Sequence, residues 1–248
     1  MKSTHLFAAT LAAALAVTQA VAGPAFIAGG ILTGSQVVTF EDVTGGVDAG
    51  TNYDGILTSG GVSFAERFAG QVNVPVAGFD VLSGTPSSDL ALAVGAVNQN
   101  LAVATPASSN VLGGLGTASH PSFDALGEGS IAILFSEDQS EFGLDIAFTD
   151  SGTATLDFFR RDGFLIEQVI LNLPLSNNTS YAFARVGGLK DIAGVSIFNN
   201  DLQGFAIDNV RYDVPVGGNG QGQLPEPGSL VLSALALLGL AAVRRRNG

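Results

Sequence analysis

Thr153-Ala154-Thr155-Leu156-Asp157-Phe158-Phe159-Arg160-Arg161-Asp162-Gly163-Phe164-Leu165-Ile166-Glu167-Gln168-Val169-Ile170-Leu171 is two β-rich runs around an Asp-Gly pair. Aromatic and β-branched residues suit a pleated, half-buried surface. Asp-Gly readily takes the positive φ angles that a tight hairpin turn needs. The stretch is therefore predicted as an antiparallel hairpin, with strands over 154–160 and 165–171.

The same texture extends outward in both directions. From residue 23 to 223 short apolar runs alternate with clusters of Gly, Asn, Asp, Ser and Pro, with no sustained helical periodicity, which is the pattern of an all-β chain. Further strands are predicted over 35–40, 62–68, 130–135, 142–148, 181–186, 194–198 and 205–212. Short strands at this spacing predict an antiparallel β-sandwich. Residues 83–116, rich in Ala, Asn, Ser and Gly, are predicted as a long surface excursion.

Charge limits what the body can bind. Residues 23–223 hold 21 of the 22 acidic residues but 6 of the 10 basic ones, a formal charge of −15. Such a surface repels phosphate backbones and anionic lipid, which excludes nucleic acid and favours solubility or cation binding. There is no cysteine, so disulfides and thiolate metal sites are excluded as well.

The two ends carry different signals. Lys2, an apolar run over 6–17, and the small residues Ala20 and Ala22 before Gly23 form a secretory signal over 1–22, a helix that signal peptidase would remove. The body then spans 23–216 and a Gly/Gln-rich linker 217–224. After it come Pro225-Glu226-Pro227, an apolar run over 229–243, and Arg244, Arg245 and Arg246. A bilayer span takes about 20 apolar residues, so the run is short, but arginine stems can snorkel to the headgroups and hold the cytoplasmic side. A C-terminal transmembrane helix with the body outside the cytoplasm is predicted, the orientation the export signal also demands.

Residues 225–248 resemble the PEP-CTERM sorting signal, which joins a Pro-Glu-Pro triplet, a transmembrane helix and a basic tail. The resemblance implies that an exosortase, a membrane-embedded cysteine transpeptidase, recognises Pro225, Glu226 and Pro227 and then releases or transfers the protein. The expected course is an inner-membrane-tethered precursor, followed by display at the cell surface or release outside it. By analogy with bacteria that carry such signals, an association with exopolysaccharide matrix or biofilm is expected.

The body resembles galactose-binding-like jelly rolls in Val38-Thr39-Phe40-Glu41-Asp42, Asn52-Tyr53-Asp54-Gly55 and Gly204-Phe205-Ala206-Ile207-Asp208-Asn209-Val210. In such domains a structural calcium ties the first strand to the last, so Glu41, Asp42 and Asp208 are candidate ligands, since hard cations take several oxygens. The competing expectation is that Asp208 bonds a neighbouring loop while Glu41 and Asp42 are solvated.

For catalysis the inventory is poor. His120 is the one histidine left after the signal, and no Gly-x-Ser-x-Gly elbow accompanies it, which removes multi-histidine zinc and leaves a serine triad unsupported. Two carboxylates suffice for glycoside hydrolysis, but no spacing selects a pair. Asn177-Asn178-Thr179-Ser180 is predicted as a surface turn, and Phe158, Phe159 and Phe164 as packing residues in preference to a sugar-stacking platform. The expectation is a structural matrix protein that is not an enzyme; a surface carbohydrate-binding module and a carboxylate-based glycosidase are the alternatives.

Overall fold

The structure, a computed structural model, describes residues 24–26 and 34–213, all within one compact unit that ends at Val214. The export signal with Ala20, Ala22 and Gly23, the linker, Pro225 to Pro227, the apolar run and Arg244 to Arg246 lie outside the described residues. Among the described residues no helix is long and apolar enough to cross a membrane.

In chain order the strands are β1 Pro24–Phe26, β2 Gln36–Val38, β3 Thr51–Tyr53, β4 Leu57–Ser59, β5 Val62–Ala65, β6 Arg67–Phe68, β7 Val72–Val76, β8 Phe79–Ser83, β9 Leu92–Ala93 and β10 Leu101–Ala104. They continue as β11 Val111–Leu115, β12 Leu126–Gly129, β13 Ile131–Gln139, β14 Glu141–Thr149, β15 Gly152–Phe159, β16 Leu165–Leu173, β17 Ser176–Arg185, β18 Ile192–Asn199 and β19 Ala206–Tyr212. One sheet has the order β1-β17-β14-β19-β11-β10-β3, with β12 beside β11 and β2 beside β19; the other is β16-β15-β18-β13-β5-β4. Two ribbons, β6-β9 and β7-β8, complete the body. The ladders are antiparallel, as the sequence predicts.

Alternation along the strands decides which side chains meet between the sheets, because successive residues point to opposite faces. Phe142, Leu144 and Ile146 of β14 enter one core with Leu156 and Phe158 of β15, and Val195 and Ile197 of β18 join them. Phe158 packs edge-on to Phe142 at 5.8 Å and lies 5.1 Å from Phe183, so aromatic contacts join the two sheets directly. A buried ring of this kind contributes on the order of 3 kcal/mol.

The predicted hairpin is β15-β16, with Thr155 opposite Ile170 and Leu156 opposite Val169. Its turn departs from the expectation in one respect: Gly163 has φ +80° while Asp162 is not among the residues with positive φ. Gly163 N–H donates to Arg160 C=O, Arg160 N–H donates to Phe164 C=O, and the register shifts at Phe158/Phe159. That is a three-residue loop closed by a glycine bulge, and Asp162 contributes by accepting the Phe164 N–H at 3.0 Å. Phe158 and Phe159 are buried in separate clusters, whereas Phe164 is exposed under the Arg160 guanidinium, 5.3 Å from its ring centroid.

Two expectations are corrected. Residues 83–116 are not a surface excursion: they contain β9, β10 and β11, and every residue of β10 and β11 is buried. Their small residues look loop-like in sequence but are needed for close strand approach; a Cβ on Gly114 would stand 2.3 Å from the Gly129 carbonyl oxygen. Asn177 to Ser180 is not a turn but the first part of β17, with Ser180 opposite Asp145 and Asn178 opposite Ala147. There β14 pairing overrides the turn preference of asparagine.

Candidate functional site

Glu41 and Asp42 follow β2 and turn to different neighbours. A Glu41 carboxylate oxygen accepts Asn110 N–H at 2.8 Å and Ser109 Oγ–H at 3.1 Å, while Asn110 Nδ2 donates to the carbonyls of Phe40 and Val43. Asp42 accepts the Ser59 hydroxyl and, at 2.9 Å, the Gly60 N–H in the β4-β5 turn. The Ser59 bond is the main reason its carboxyl is held below the ordinary range.

Asp208 sits on β19 directly opposite Asp145 of β14. Burial pushes its carboxyl up, and repulsion from Asp145 and Glu41 adds to this. Its oxygens accept Asn209 N–H at 2.6 Å and Asn209 Nδ2–H at 3.2 Å. Glu41 and Asp208 thus share a field, but Asp42 is satisfied elsewhere. Among the described residues no three His, Cys, Asp or Glu side chains are gathered to hold a metal ion. His120 is likewise occupied locally, with Nε2 3.2 Å from the Gly50 carbonyl oxygen.

The concave surface lies elsewhere. A groove of about 660 Å³ runs beside β12, walled by Asp48, Phe123, Asp124, Leu126, Glu128 and Phe148, with Leu202 to Ala206 opposite. Phe123 is 68% exposed, and Phe148 and Leu202 also face solvent. Phe148 has φ +65° inside β14, a region that costs a bulky side chain on the order of 1–3 kcal/mol and is concentrated at functional sites. Its twist removes the ring from the alternation that buries Ile146 and presents it to the groove.

A second hollow of about 360 Å³ is lined by Glu66, Arg67, Asn73, Asp80, Gln99 and Thr117, with Val72 and Pro75. Glu66 and Asp80 are only 4% and 5% exposed. Asp80 is pushed up to about 6, first by burial and then by repulsion from Glu66 and Glu128, against a weaker pull from Arg67. Burial also raises Glu66 despite its ion pair with Arg67. Glu128 is raised by burial and by Asp124. Asp80 therefore stands between two carboxylates, Glu66 and Glu128, that oppose its ionisation, with Arg67 offsetting them in part.

None of these groove residues was among the sequence-based candidates. Phe123, placed after Pro121 and Ser122 with no apolar neighbour before it, carried a faint local sign of exposure. Phe148 closes an apolar strand run and carried none. Chemically the site offers aromatic faces and hydrogen-bond acceptors in a negative field, which suits polyhydroxylated or cationic ligands and repels anions.

Comparison with known proteins bears on the tail more than on the body. No curated protein matches the chain in sequence. Among solved structures, the tailspike protein 4 enzymatically active domain of bacteriophage CBA120 is similar over 46% of this chain and 18% of its own, at 16% identity and a TM-score of 0.29. A likeness that slight says nothing of activity. Residues 223–246 match the family described as the PEP-CTERM protein-sorting motif. The chain therefore carries a PEP-CTERM protein-sorting motif, the signal of an exported protein processed by an exosortase.

Proposed function

We propose that this chain is a structural component of the extracellular polymer layer, exported by its N-terminal signal and tethered through its C-terminal segment until exosortase acts. It is then displayed or released as an acidic, jelly-roll-like β-sandwich and serves as the exosortase's substrate, not as a catalyst. The observation that carries this reading is the sorting motif at residues 223–246. The excess of carboxylates, with 22 acidic against 10 basic residues in the whole chain, supports life in a hydrated polymer matrix, where self-repulsion keeps the body soluble.

Replacing Pro225, Glu226 and Pro227 together by alanine tests it in the native host. Intact-mass analysis is expected to find the precursor, with Arg244 to Arg246 still attached, held in the membrane fraction, while the unaltered chain yields a shorter species beginning near Gly23. Normal processing of the triple variant would overturn the exosortase assignment.

A second reading, a carbohydrate-binding body on the cell surface, is favoured by the groove with its solvent-facing Phe123 and Phe148. Binding of a defined glycan separates it from a purely structural role.

A further inference from the structure

We propose that the groove and the carboxylates behind it bind an amine-bearing polysaccharide, with Phe123 and Phe148 stacking on sugar rings while Asp124, Glu128 and Asp80 receive its ammonium groups. The proposal rests on the reading of the chain as an exported protein of the polymer layer, because only there would it meet such a polymer.

The aromatic rings supply the first part of the argument. Phe123 is 68% exposed and Phe148 is held outward by a backbone at φ +65°. Exposed rings on a groove wall offer the flat apolar faces on which pyranose C–H bonds stack, and an ammonium over a phenyl face adds a cation–π attraction.

Charge selects among sugars. Among the described residues, the titratable groups lining the groove are Asp48, Asp124 and Glu128, and no Lys, Arg or His lines it. An anionic polymer would be repelled. A neutral one would stack, but it would leave the carboxylates as uncompensated as before.

Asp80 is the second, independent observation. It is 5% exposed and faces the second hollow, and none of the side-chain hydrogen bonds among the described residues reaches its carboxylate. The nearby guanidinium of Arg67 is already committed to Glu66. Arg67 pulls on Asp80 only weakly, so withdrawing this carboxylate from water is poorly compensated and costly, and a bound ammonium supplies both a donor and a further counter-charge. Glu128 lines the groove from β12, and β12 packs against β8, the strand that carries Asp80. Beside Glu128 stands Gly78, held at φ +101° in the turn before β8, where a Cβ would lie 3.5 Å from a Glu128 carboxylate oxygen, an ordinary contact distance. A divalent cation is a poorer fit, since no three of these groups are gathered around one point.

The test uses the full-length chain in detergent and calorimetric titration with two probes of equal length, a glucosamine hexasaccharide and its fully N-acetylated counterpart. The amine form is expected to bind at least about tenfold more tightly, and raising the salt is expected to weaken it several-fold. Phe123→Ala, Glu128→Gln and Asp80→Asn are each expected to lower that affinity about fivefold or more. Glu137→Gln, an exposed acid on β13, should leave it unchanged. Equal binding of the two probes, no binding of either, or a loss in Glu137→Gln as large as in Glu128→Gln would overturn the proposal. A chain that is processed normally in the host yet ignores both probes sinks this site alone, whereas one that binds but escapes processing sinks only the sorting reading.

Discussion

Asp145 and Asp80 are buried to nearly the same depth, 3% and 5% exposed, yet their carboxyls are driven in opposite directions. Burial opposes the ionisation of Asp145, but hydrogen bonds from Arg211, Ser180 and Asn209 outweigh it and hold the group below its ordinary range. Arg211 donates at 2.7 Å and 3.2 Å, Ser180 at 2.6 Å and Asn209 at 2.8 Å. Asp80 faces the same desolvation with no such donors and with Glu66 and Glu128 repelling it, and it rises to about 6. Depth sets the size of the penalty, and the neighbours set the sign. The β14-β19 face is electrostatically complete, whereas the region around β8 and β12 is not.

The largest way to break this contrast is to make Asp145 resemble Asp80. Arg211→Met removes two charge-assisted bonds and is expected to destabilise the protein by about 2 kcal/mol, less than a fully buried pair would lose because the guanidinium is partly solvated. Urea unfolding measures it; an unshifted midpoint would mean that Ser180 and Asn209 alone satisfy the carboxylate.

The converse change should help. Asp80→Asn removes a buried charge and is expected to stabilise by about 1 kcal/mol at pH 7.5, the new amide keeping part of the polar burial cost. The gain must depend on pH in a definite direction. The folded-state value of Asp80, about 6, lies above the unfolded value, so the native state takes up the proton first and this group's penalty is full above pH 6. Through this group, stability increases as the pH falls from 7 towards 4. Asp145 and Asp42 act oppositely, since their depressed values make a contribution that is present above the unfolded carboxylate range and lost on further acidification. Unfolding curves at pH 7.5 and 5 are expected to show the Asp80→Asn advantage at the first and little at the second. An Asp80→Asn protein less stable than the unaltered one at pH 7.5 would show that a donor does reach Asp80.

The smallest expected effect concerns Glu41, Asp42 and Asp208. Since protein donors already satisfy the first two, exhaustive chelation followed by added calcium is expected to leave the melting temperature within about 1 °C, within the ±0.5 kcal/mol typical of changes away from special features. A calcium-dependent rise of several degrees would show that these acids gather around an ion.

Much of the fold was legible. The nine predicted strands all fall on observed ones, because alternating β-branched and aromatic residues declare both strand and buried face within a few positions. The strands that escaped notice, β10 and β11 above all, are built from Ala, Gly, Leu and Val with no polar face, since they are buried on both sides. Without alternation a short apolar strand loses its signature. The candidate site was hardly legible: Phe123 and Asp124 lie in a short 3-10 turn with Glu128 just after it in β12, but Phe148 near the end of β14 and Asp80 in β8 come from distant parts of the chain, and no local pattern joins them to that turn.

The sequence alone determined the sorting motif, because Pro225 to Pro227, an apolar run and three arginines act as a linear signal whose meaning lies in order and spacing. It also determined the period-two strands and the acidic charge of the body. Only the tertiary structure decided which carboxylates are structural and which stand uncompensated. Arg211 reaches Asp145 across 66 residues of chain, while Glu128 acts on Asp80 from another strand. A carboxylate's ionisation depends on the depth and donors that folding supplies, and these are set by chain crossings that no local pattern encodes.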